Sequence, residues 1–74
     1  MSAEPQAILF DKLIWNPKMS LQWLIEHGFI PIKPPHITDN FIRYRLQEPN
    51  RRYRYFSKFV DPLKSILFIY IAKH

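Results

Sequence analysis

Apolar residues gather in short blocks along the chain, divided by prolines, asparagines and aspartates rather than by glycines. Residues 7–10 (AILF) form a first apolar run, read as a short strand. Asn16-Pro17 reads as an N-cap with proline at the first helical position, where the missing N–H costs nothing. Gly28 supplies the left-handed stop, so a helix is predicted over residues 17–27, with His27 at the negative end of its dipole. Residues 29–33 (FIPIK) alternate, but Pro31 restricts them to an edge or to irregular backbone. Residues 41–46 (FIRYRL) alternate strictly, with Phe41, Arg43 and Arg45 on one face and Ile42, Tyr44 and Leu46 on the other.

A type I turn at residues 48–51 (EPNR) then leads to a second alternating run over residues 53–60. Here Tyr53, Tyr55, Ser57 and Phe59 share one face, and Arg54, Phe56, Lys58 and Val60 the other. The two runs together predict an antiparallel hairpin with an arginine-rich tip. Asp61-Pro62 opens a further turn, and residues 65–72 (SILFIYIA) are apolar on both faces, as in an interior strand.

The expected class is therefore α+β. One helix packs on a mainly antiparallel, three- to four-stranded sheet in β-α-β-β-β order, as one domain over residues 1–74 with residues 1–6 as a flexible tail. The last strand is placed inside the sheet with the first strand beside it. A single helix covers one face only, so the other face is wet, binds something or dimerises.

The helix admits two buried faces. Leu21, Leu24 and Ile25 make one stripe, which leaves Trp23 peripheral; Ser20, Trp23, Leu24 and His27 make the other.

Composition narrows the function. The chain of 74 residues has no cysteine, which excludes disulfides and thiolate metal clusters. No apolar run approaches the roughly 20 residues of a membrane span, and the N-terminus lacks the features of a secretory signal. An intracellular, non-secreted protein with no membrane partner is expected. Residues 41–60 hold all the arginines together with Lys58 and Glu48, so the whole formal charge of +5 lies in this stretch. That balance points to a polyanion.

Catalysis finds no support. Ser2, Ser20, Ser57 and Ser65 lie in no nucleophile elbow. His36 with Asp39 has no third member and reads as a solvated loop. His27, His36 and His74 have no metal-finger spacing. The protein is expected to be no enzyme, with no cofactor, no metal and no small-molecule substrate.

The basic stretch carries the function instead. Arginine offers planar donors to phosphate, and tyrosine a face on which a base stacks. Arg43, Arg45, Arg51, Arg52, Tyr53, Arg54, Tyr55 and Lys58 are the candidate nucleic-acid contacts, for DNA in preference to RNA, through backbone phosphate and with little sequence specificity. The alternative is a non-catalytic interaction module or homodimer. Its candidate interface is Leu21 and Ile25 on the helix with Leu67, Ile69 and Ile71 on the last strand.

Two motifs carry a resemblance. The pattern ILFDKxxWxPxxxxxWLxxHGF over residues 8–29, followed by FIRYRLxEP over residues 41–49, resembles a small uncharacterised domain of phages and large DNA viruses. The resemblance covers most of the chain. It implies a viral protein of the infected host cell or the virion and names no activity. It also implies Ser20, Trp23, Leu24 and His27 as the buried helix face, since alanine is usual at Ser20 and charged residues are usual at Leu21 and Ile25. Glycine is usual where this chain has Leu63-Lys64.

Overall fold

The computed structural model describes residues 2–49 and 52–73. Their elements run β1 (Ser2–Asp11), α1 (Pro17–Glu26), β2 (His36–Ile37), β3 (Phe41–Arg45), β4 (Arg54–Phe59) and β5 (Ile66–Lys73). All strand pairs are antiparallel, in the order β2-β3-β1-β5-β4. The class is α+β as expected, with five strands where three to four were anticipated. No helix among the described residues is long and apolar enough to cross a membrane.

The helix follows its local signals. Asn16 caps it by accepting from the Met19 N–H at 2.8 Å, and Pro17 follows at the first position. Gly28 ends it at φ +81°. The Nδ1 of His27 donates to the Trp23 carbonyl at 2.7 Å, and its ring stacks on the Trp23 indole. Ser20 and Leu24 are fully buried and Trp23 is half-buried, whereas Leu21 and Ile25 are exposed. The face implied by the resemblance is therefore the buried one, except that His27 is exposed and covers Trp23 from outside.

Beneath the helix lie Ile8, Phe10, Ile42, Tyr44, Ile66 and Phe68, with Leu24 pressed into them. Phe10 is the aromatic hub, meeting Trp15, Trp23 and Tyr44 edge-on at 5.1, 5.7 and 5.7 Å between centroids. Tyr44 is buried but not apolar throughout. Its hydroxyl donates to the Pro17 carbonyl at 3.0 Å and lies 2.8 Å from Ser20 Oγ, which pins β3 to the start of the helix. Because its phenol is buried in this way, Tyr44 is not available to stack on a ligand.

Residues 2–6 are not a tail. They extend β1 against β5, and Gln6 is the extra residue of a bulge between Pro5 and Ala7. Pro5 is tolerated because β3 has already ended there, where the ladder is irregular. Gln6 is buried. Its carbonyl accepts from Leu46 N at 2.8 Å, and its side-chain amide donates to the Gln47 carbonyl at 2.9 Å. The bulge thus anchors the chain as it leaves β3.

The main correction concerns residues 41–60, because β3 and β4 do not form a hairpin. β3 pairs with β1 and β2, while β4 pairs with β5 at the far edge, so the connection between them passes the ends of β1 and β5. The turn expected at residues 48–51 lies partly outside the described residues. The short extended piece expected at residues 29–33 is irregular, and β2 forms instead at His36–Ile37. The last strand is interior, with β1 beside it, as expected.

The hairpin that does form joins β4 to β5. Asp61 Oδ1 accepts from the N–H groups of Ser65 and Ile66, and Oδ2 accepts from Ser65 Oγ. Burial opposes ionisation of this carboxyl. The hydrogen bonds from the Ser65 hydroxyl and from the Ile66 and Ser65 amides outweigh it and hold the carboxyl below its usual range. Ser65 Oγ also accepts from the Trp15 indole N–H at 3.0 Å, so the turn is tied to the loop before the helix. Lys64 adopts φ +54°, the left-handed conformation that suits glycine.

Candidate nucleic-acid interface

Residues directly opposite in an antiparallel sheet share a face. The register therefore places His36, Arg43, Leu9, Leu67 and Phe59 in one row across all five strands. Arg45, Ala7, Ile69 and Ser57 form the next row. Both rows lie on the face away from the helix, because their neighbours Ile8, Phe10, Ile42, Tyr44, Ile66 and Phe68 make the covered core. This outer face is cationic along β3, with His36 of β2 beside it, and apolar along β1 and β5. Along β4 it is aromatic, with Phe59 and Tyr55 both exposed.

At the cationic side, Lys33, Pro34, His36, Arg43 and Arg45 line a cleft of about 200 Å³. Glu48 reaches into the cluster. Its carboxylate lies 3.0 Å from Lys33 Nζ and 3.8 Å from Arg45 Nη1. Both of these pairs are substantially exposed to water, so their net worth is small. Arg43 is different. Its Nε is buried and has no hydrogen-bond partner, a costly state for a guanidinium donor unless something binds it.

The candidate basic residues are separated. Arg43 and Arg45 are half-buried on the outer face of β3. Arg54 and Lys58 pair with Ala72 and Phe68, so they lie on the helix side of the sheet at the opposite edge. Three strand spacings, about 14 Å, separate the two sets. Tyr55 is on the outer face, Tyr53 is half-buried before β4, and Arg52 is exposed in the connection. Arg51 lies outside the described residues.

The expected partner surface is divided as well. Leu67 and Ile69 are half-buried on the outer face, while Ile71 is only 1% exposed and offers no contact area. Leu21 and Ile25 are 41% and 63% exposed, but they sit on the outward side of the helix, across the sheet from Leu67 and Ile69. They cannot share one interface with β5.

Lys33 carries no signal in the sequence and His36 reads there as part of a solvated loop, because both lie in a proline-rich connection, eight and seven residues before Phe41 and Arg43 respectively. Only the pairing of β2 with β3 brings them to the arginines. Phe59 was legible as a face-mate of Tyr55, but nothing local assigned that face to the open side.

No family model matches the chain, and no curated protein or solved structure matches it.

Proposed function

We propose that this is a small non-catalytic nucleic-acid-binding protein that lays a single strand across the open face of its sheet. The resemblance to a phage and large-DNA-virus domain makes viral DNA the expected partner. The row His36, Arg43, Leu9, Leu67 and Phe59 carries the reading. Phosphates are held along β3 by Arg43 and Arg45, and bases lie over the apolar centre to stack on Phe59 and Tyr55. An arginine fork and an aromatic face suit any base, so the binding is weakly specific. The exposed face is also the one the single helix leaves uncovered.

A salt-titrated binding assay with single-stranded DNA, duplex DNA and RNA tests this. Single strands should bind best, with a log–log salt slope of about −0.7 for each phosphate neutralised. Affinity that does not fall with salt, or that survives loss of both Arg43 and Arg45, overturns it.

A second reading follows from the apolar centre of the same face. Leu9, Leu67 and Ile69 stay half-exposed, and a second copy would bury them. Mass measured by light scattering across a dilution series separates the two. A dimer whose formation is blocked by nucleic acid means that both use the same face.

A further inference from the structure

Resting on that reading, we infer that the cleft lined by Lys33, His36, Arg43 and Arg45 is a site for a phosphate monoester dianion. Its size is the first argument. About 200 Å³ is below the roughly 300–1,000 Å³ of pockets that enclose whole drug-sized ligands, and suits one tetrahedral anion with its water.

Charge is the second argument. Among the described residues, Lys33, Arg43 and Arg45 line the cleft and the Glu48 carboxylate pairs with Lys33 and Arg45, and the resulting excess of two positive charges matches the −1.5 to −2 of a monoester near neutral pH. An internal diester carries only one negative charge and leaves part of the cluster uncompensated.

The third argument is Arg43 itself, in the middle of β3, whose guanidinium has a buried Nε without an acceptor and whose side chain lines the cleft with Lys33 and Arg45. The three anionic oxygens of a monoester provide acceptors for the cationic side chains that line the cleft, Lys33, Arg43 and Arg45. Glu48 is the internal competitor. It holds Lys33 and Arg45 while the cleft has no anion, and an incoming phosphate draws both away from it. The same chemistry has two sources, the phosphorylated end of a strand or a free small phosphate.

The experiment compares methyl phosphate with dimethyl phosphate, followed by calorimetry at constant ionic strength on the full chain. Methyl phosphate should bind at least about tenfold tighter, since only it carries the second charge. Lys33→Gln and Arg45→Gln, both at solvent-reached side chains, should each weaken it by roughly three- to tenfold. Glu48→Gln should tighten it by a similar factor, an effect that a general loss of fold cannot imitate. Arg54→Gln, at the far edge, should leave it unchanged.

Equal binding of the two esters, or indifference to Glu48→Gln, overturns the site. A second arm compares one single strand bearing a 5′-phosphate with the same strand bearing a 5′-hydroxyl. Tighter binding of the phosphorylated strand assigns the cleft to strand ends. Methyl phosphate binding with both strands equal assigns it to a free monoester. Strands that bind while neither ester does remove the cleft and leave the open-face reading intact. Methyl phosphate binding with no strand binding removes the open-face reading and keeps the cleft.

Discussion

β3 and β4 are written in the same alphabet, alternating arginine or lysine with aromatic and aliphatic residues, yet the fold treats them oppositely. β3 has a neighbour on each side and its residues alternate between buried and half-buried. β4 has one neighbour, and all six of its residues are exposed. The difference is position under the helix. Ile42 and Tyr44 face α1 and join the core, while Arg54, Phe56 and Lys58 point the same way at an edge where they stay exposed. On β3 the charges converge with Lys33 on a cleft. On β4 they are spread along an edge, where basic side chains discourage pairing with another chain. Equal local patterns thus supply a convergent cationic cluster in one place and an exposed basic edge in the other.

The comparison can be broken most strongly through the core. Phe10→Ala, beneath the helix, should cost about 3–5 kcal/mol, whereas Phe56→Ala on β4, which loses only an edge stack on Tyr70, should cost under about 1.5 kcal/mol. Urea melts of both variants check this. Similar costs would mean that β4 belongs to the core after all.

Tyr44→Phe should cost about 0.5–1.5 kcal/mol by removing the hydrogen bonds that join its hydroxyl to the Pro17 carbonyl and to Ser20 Oγ, both of which keep their mutual bond. Hydrogen exchange should show the loss first at the start of α1 and on β3, with β4 and β5 little affected.

For binding, replacing Arg43 and Arg45 by Gln should remove about 1.4 from the magnitude of the single-strand salt slope, two phosphate contacts at about 0.7 each. The matching pair Arg54→Gln with Lys58→Gln should leave the slope nearly unchanged. Equal losses would restore a continuous basic surface across both edges.

The turn that holds β4 offers smaller effects. Lys64→Gly should raise stability by up to about 1 kcal/mol, because glycine adopts the left-handed conformation without the penalty a side chain brings. Acid should act on the same turn. The Asp61 carboxyl is held below its usual range in the folded chain, so its contribution is present above the unfolded value and is lost as pH falls through the lowered folded one. Asp61→Asn should therefore flatten the acid limb of the stability curve. A limb unchanged by that substitution would place the acid sensitivity elsewhere.

Much of this fold was legible locally, and the site much less so. The cap at Asn16-Pro17, the stop at Gly28, the alternation of β3 and the turn at Asp61 are each satisfied within a few residues, so the sequence determined them alone. It also determined that β5, apolar on both faces, is interior.

Only the tertiary structure decided which strands are partners. A local β3–β4 hairpin closes the shorter loop, and loop closure favours it, but only weakly, since the entropic cost grows slowly with length. Against it stands the need of β1 and β5 for a neighbour on each side, and the crossing between β3 and β4 satisfies both. The bulge at Gln6, the exposure of Leu67 and Ile69 away from Leu21 and Ile25, and the meeting of Lys33 and His36 with Arg43 and Arg45 all follow from that choice. They depend on contacts between residues far apart in the chain, which no short pattern of hydrophobic and polar positions records.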